Sequence, residues 1–213
     1  MRASWTRNAK LAKTSKGRYN VIGFGTIADH DFVDSDGVKR NTCGGALACK
    51  AVCYAKQGAY MWDSVRKARK RNLRLTMRKD FAAIIVGDLS SMRKVNTVRI
   101  HDAGDFYSQE YLDKWIVIAK ALPYLRFYTY TKSLNLDFSK VPANFQVTQS
   151  VGGRYDADID PDFSHSRIFA THEDRERAGY IDGNVSDVPA IRGLVQIGLV
   201  YHGNKNQIGR AHV

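Results

Sequence analysis

Cysteine is scarce in this chain. There are three among 213 residues, and all three fall between Cys43 and Cys53. An odd, clustered set excludes a secreted disulfide framework, which needs paired thiols spread along the sequence. Long apolar runs are missing as well, so no segment reads as a membrane-spanning helix, and the N-terminus has no signal-peptide core. A cytoplasmic protein with no membrane attachment is the expectation. Acidic residues are in deficit: 21 Asp and Glu face 33 Lys and Arg, a formal net charge of +12. Such a surface attracts polyanions, and nucleic acid is the partner it suggests. No internal repeat, low-complexity segment or linker divides the sequence. Residues 1–213 therefore read as a single domain, with 1–18 and 204–213 as candidate flexible ends.

What is present is a strand–helix alternation. YNVIGFGTIA (19–28) reads as a strand, and Asp36-Gly37 is a hairpin turn signal. A helical pattern follows the cysteines to about residue 78. Within it, Arg66, Lys70, Arg74 and Arg78 recur every four residues and line one stripe. That stripe is either a solvated outer face or a phosphate-binding surface. Asp80 is placed to cap a second helix, and Ser108 a third over 108–122. TVRIHD (97–102), LRFYTYTKS (125–133), FQVTQSVGG (145–153), RIFATH (167–172) and LVQIGLVYHG (194–203) read as strands. HEDRERAGY reads as a short helix. The crossovers at 134–144 and 154–166 look irregular.

This order predicts an α/β fold with a mostly parallel sheet: a TIM-barrel-like (β/α) barrel, closed or partial, favoured over an open doubly wound sheet. The barrel is favoured because polar groups follow nearly every strand. His101, Asp102 and Asp105 follow the second; Thr131, Lys132 and Ser133 the third; Ser150, Gly152 and Gly153 the fourth; His172 and His202 the last two. In a parallel fold these ends converge on one rim, where ligands bind. Asp102, Asp105 and Lys132 are the candidates for acid–base or ligand-holding work. Ser150, Gly152, Gly153, His101 and His202 are the candidates for holding a cofactor.

The cysteines are spaced C-x5-C-x3-C. Three readings compete. Buried structural thiols need no clustering. A structural zinc site needs a fourth ligand, here a histidine, and the paired C-x2-C knuckle is absent. An iron–sulfur cluster takes three thiolates and leaves one iron open or bound by a non-cysteine group such as His101 or His202. The last is the preferred reading, with Cys43, Cys49 and Cys53 as ligands.

In its logic the arrangement resembles the radical S-adenosylmethionine enzymes, although their C-x3-C-x2-C spacing is replaced here by longer gaps in reversed order. S-adenosylmethionine is thus a cofactor candidate only, with Ser150–Gly153 as its glycine-rich strand end. A closer resemblance is to the phage-encoded gene product 88 family. It is carried by the Cys43–Ala55 block, HDAGDFYS (101–108), YTKS (130–133) and GLVYHG (198–203). That resemblance implies a viral protein in the host-cell cytoplasm, with a TIM-barrel-like fold and a [4Fe–4S] cluster on the three cysteines. The expectation is therefore an iron–sulfur protein of redox or radical type acting on a small-molecule or macromolecular substrate. The alternative is a metal-stabilised nucleic-acid-binding module using residues 66–79.

Overall fold

The computed structural model describes residues 2–51 and 53–201. In chain order its elements are α1 (Ala9–Thr14), β1 (Val21–Phe24), β2 (Asp31–Val33), β3 (Lys39–Asn41), α2 (Asp63–Thr76), α3 (Phe81–Ser91), β4 (Thr97–Ile100) and α4 (Gln109–Ala121). They continue with β5 (Arg126–Thr131), β6 (Phe145–Ser150), β7 (His165–Phe169), α5 (His172–Arg177), β8 (Ile181–Asp182), α6 (Val188–Ile191) and β9 (Ile197–Val200). Seven strands form one parallel sheet in the order β1-β4-β5-β6-β7-β9-β8. The order follows the sequence until the chain goes out to β8 at the edge and returns to insert β9 beside β7, and the sheet curls as a half-barrel. Strands β1 and β8 lie at opposite edges and do not pair among the described residues. The expected mostly parallel α/β sheet is present; the closed barrel is not.

Strand alternation divides the core into two layers. Ile22, Phe24, Val98, Ile100 and Phe127 point outward and pack against Phe81, Ile85 and Leu89 of α3 and Leu112, Trp115 and Ala119 of α4. Phe24, Phe81 and Trp115 meet edge to face, with ring centroids 5.2–5.9 Å apart. Val21, Tyr128 and Ile197 point into the concave face, where Leu11 of α1 and Ala190 and Ile191 of α6 cover them. The stretch read as a flexible N-terminal end thus carries a helix that closes the inside of the half-barrel.

Several local signals act as expected. Asp36-Gly37 turns the β2–β3 hairpin, with Gly37 at φ +79°. The Ser108 side chain accepts from the Tyr111 N–H and caps α4. Asp80 stands at the start of α3 without capping it; its carboxylate is taken by Arg78. The crossover 134–144 has no helix, and Leu136, Phe138 and Val141 pack it onto the core instead. Between β3 and α2 lies the cysteine loop, three short 3-10 turns rather than the continuous helix expected.

Candidate functional site

The cysteine loop lies across the carboxyl ends of the parallel strands. Asp29, at φ +44°, clasps it: its carboxylate pairs with Lys50 (2.8 Å) and Lys56 (2.7 Å), and its N–H donates to the Cys43 Sγ (3.3 Å). Burial alone would raise the Asp29 carboxyl, but the two ammonium groups hold it down at about 2. On the other side Ala46 bridges Gly153, and the Arg154 N–H donates to the Gly45 carbonyl (2.8 Å). Cys43, Cys49 and Cys53 carry free thiols and line one cavity of about 170 Å³ together with Arg99, His101 and Lys132. Among the described residues no three His, Cys, Asp or Glu side chains converge closely enough to hold a single metal ion.

Burial pushes the Cys43 thiol up to about 12 and raises Cys49 and Cys53 as well. A nucleophilic cysteine needs the opposite, an electropositive setting that lowers its pKa. Burial therefore disfavours the thiolate form of the free groups. As ligands to a soft metal centre they are thiolates whose charge the metal offsets, and amides donating to sulfur are the usual tuning groups of such centres. The donor set therefore fits an iron–sulfur centre.

Asp105 lines the cavity and serves as its latch. Its carboxylate accepts from the Thr131 hydroxyl (2.7 Å), the Lys132 N–H (2.8 Å) and its neighbour Phe106 N–H (2.8 Å). Its own N–H donates to the Thr42 carbonyl (2.7 Å), tying the cysteine loop to the end of β5. Burial raises the Asp105 carboxyl against these hydrogen bonds. Asp102 does not line the cavity. It forms a buried ion pair with Arg69 from the inner face of α2, and its carbonyl accepts from the Tyr54 hydroxyl. The two aspartates expected as an acid–base pair therefore have separate partners.

Lys132 reaches across the cavity to the carbonyls of Val151 (2.5 Å) and Ser150 (3.2 Å), and burial lowers its pKa. His101 stands at φ +63°, buried, with Nε2 3.0 Å from the Tyr111 hydroxyl and Nδ1 without a partner. Burial and then Arg99 depress it to about 3, so the imidazole is neutral at pH 7 and suited to ligation. Ser150 lines the cavity, its hydroxyl 3.1 Å from that of Ser166. The amides of Gly152 and Gly153 donate to Asp156 (2.8 Å each), so this glycine pair folds on itself and against the cysteine loop. His172 begins α5, and His202 lies outside the described residues.

Four groups were not legible as site residues: Asp29, Lys10, Arg99 and Asp187. Lys10 and Arg99 line the inner end of the cavity, and Asp187 lies buried behind them. The signal for Arg99 is a guanidinium inside the short strand run TVRI, which the structure buries throughout. Such a charge demands a buried counterion.

The basic stripe is partly as expected. Arg66 and Arg74 are exposed and Lys70 half-buried on α2, whereas Arg78 lies past its end, forked onto Asp80. No described helix is long and apolar enough to cross a membrane. No curated protein and no solved structure matches the chain. Over residues 3–212 it matches the model of the family described as Gene product 88, and it belongs to that family.

Proposed function

We propose that this protein is an iron–sulfur enzyme of redox or radical type. In this reading Cys43, Cys49 and Cys53 hold a [4Fe–4S] cluster at the rim of the half-barrel, and the cavity beneath takes the substrate. The observation that carries the reading is the convergence of three free thiols from eleven residues on one cavity at the carboxyl ends of parallel strands. A zinc ion needs its ligands to meet at a single point. A cluster spreads its ligands over different irons. His101, neutral and with Nδ1 unpartnered, is the candidate donor to the iron without a cysteine. When bound, the cluster supplies one-electron chemistry at the cavity wall. Asp105 fixes the loop to β5, and Lys132 places a positive charge near Cys49. S-adenosylmethionine stays a candidate co-substrate rather than a requirement, since the amides of Gly152 and Gly153 are already taken by Asp156.

Serine in place of any one of the three cysteines is expected to bleach the visible absorption of anaerobically purified protein and to lower its iron content. Full colour in all three variants refutes the assignment of ligands.

A second reading has its own observation. Arg66, Lys67, Lys70 and Arg74 project from α2, and no carboxylate pairs with them among the described residues. A helix with four uncompensated cations suits a phosphate backbone. Reversing Arg66, Lys70 and Arg74 to glutamate is expected to weaken binding to single- or double-stranded DNA and RNA at low salt by more than tenfold, roughly the effect of losing several phosphate contacts. Unchanged binding, or none in the parent, removes this reading.

A further inference from the structure

The inner end of the cavity is built differently from its cysteine wall. Arg99 projects from β4 toward the concave face, in register with Tyr128 of β5. Lys10 reaches it from α1. Between them Asp187 is wholly buried, and its acceptor capacity is used up. Oδ1 takes Lys10 Nζ (2.7 Å) and the Tyr130 hydroxyl (3.3 Å); Oδ2 takes Arg99 (2.8 Å) and the Tyr128 hydroxyl (2.8 Å). Two cations thus share one saturated carboxylate, and one positive charge is left in surplus beside a cavity. Lys132, the remaining basic group on the cavity wall, is held at the far end by the Ser150 and Val151 carbonyls, near Cys49 and Asp105. The cysteine end and the inner end are therefore balanced separately.

The Lys10 side chain is 25% exposed and that of Arg99 11%, and a partly buried, unbalanced charge still gains from a partner of opposite sign. Arg99 spends one nitrogen on Asp187 and lies over the Tyr130 ring, 5.3 Å from its centroid, while its Nε is buried without a partner. Ile168 of β7 and Leu199 of β9 supply apolar wall to the same cavity. The whole cavity, cysteine wall included, measures about 170 Å³, against about 150 Å³ for an engineered apolar cavity that admits benzene. We infer that the inner end of this cavity is an organic-anion site: Lys10 and Arg99 receive a carboxylate, and Tyr130, Ile168 and Leu199 receive its apolar body. Asp187 is saturated, and two further carboxylates in electrostatic reach, Asp182 near Lys10 and Asp102 near Arg99, are held by Arg175 and Arg69.

The inference deepens the reading of the cavity as a substrate site and rests on that reading only in calling the anion a substrate. Benzoate is the probe, with benzamide as its uncharged counterpart, titrated calorimetrically into the full-length protein. Benzoate is expected to bind at least about tenfold more tightly than benzamide, the equivalent of one charge-assisted hydrogen bond. Lys10→Met removes the surplus charge while leaving Asp187 paired with Arg99, and is expected to abolish that preference. Lys10→Arg, which keeps the charge, is expected to preserve it and shows that the site still folds. Equal binding of benzoate and benzamide, no binding of benzoate, or an unchanged preference in Lys10→Met overturns the inference. No cysteine contributes to this end, so the same preference is expected in protein stripped of iron. Failure of the cluster reading leaves it standing, and failure of benzoate binding overturns it at any iron content.

Discussion

Gly45→Ala is expected to lower the unfolding temperature by roughly 6–12 °C and to strip the thiol site of iron, while Gly44→Ala next to it leaves both nearly unchanged. The two glycines are neighbours in sequence but not in environment. A Cβ on Gly45 would stand 2.3 Å from the Lys132 carbonyl oxygen and 2.6 Å from its carbon, both backbone atoms at the end of β5. Neither can rotate away, so the whole cysteine loop must lift. Lifting it breaks the Arg154–Gly45 hydrogen bond and the Ala46–Gly153 bridge, and pulls on the Asp105–Thr42 tie. Overpacking costs about 1–3 kcal/mol in ordinary cores, and an immovable backbone places this case at the upper end. For a chain of this size that corresponds to the stated temperature shift. A Cβ on Gly44 meets nothing closer than the Asn41 carbonyl at 3.6 Å, ordinary contact. Thermal unfolding and iron content of the two variants, measured side by side, check the account. Equal behaviour of the pair contradicts it.

Arg69→Met is expected to cost about 3–5 kcal/mol, the range for breaking one side of a buried ion pair. Arg69 and Asp102 are both almost wholly buried, and the guanidinium is the carboxylate's charged partner. Gly25 makes room for the pair, since a Cβ there would collide with both side chains. In the native protein, burial pushes the Asp102 carboxyl above its ordinary value, and Arg69 pulls against that. Without Arg69 the push is opposed only by the more distant Arg99 and a backbone hydrogen bond. A carboxyl whose folded pKa exceeds its unfolded value loses folding stability as pH rises past the unfolded value. The deficit is therefore smallest below about pH 4 and largest at neutral pH. Asp102→Asn on top of Arg69→Met should recover part of the loss and flatten the pH dependence. Denaturant titrations at several pH values test this; a deficit independent of pH, or none recovered by Asp102→Asn, contradicts it.

These two cases show where the sequence was readable and where it was not. Strand runs, the Asp36-Gly37 turn and the Ser108 cap are local signals; the turn and the cap stand as read, and each strand run holds a strand with different bounds, RIFATH ending in α5 at His172. The gathering of strand ends on one rim was also legible, because it follows from parallel order alone. Closure was not: polar strand ends look the same on a full barrel and a half-barrel. Nor was the division of labour between Asp102 and Asp105. Spacing cannot tell a carboxylate facing a cavity from one facing Arg69, and Arg69 was hidden within a run of exposed basic residues. The six-residue α1 and four-residue α6 are too short to show periodicity, yet they bring Lys10 and Asp187 to the cavity. Glycine 45 carries no mark in the sequence that separates it from Gly44; only the approach of Lys132 does.

The central claim is that the three thiols hold an iron–sulfur cluster. The most direct test is iron and acid-labile sulfide analysis of anaerobically purified protein, with electron paramagnetic resonance after reduction and again after adding S-adenosylmethionine. The account predicts brown protein with about four irons and four sulfides per chain and a cluster signal on reduction. A colourless protein carrying stoichiometric zinc and no sulfide would contradict it.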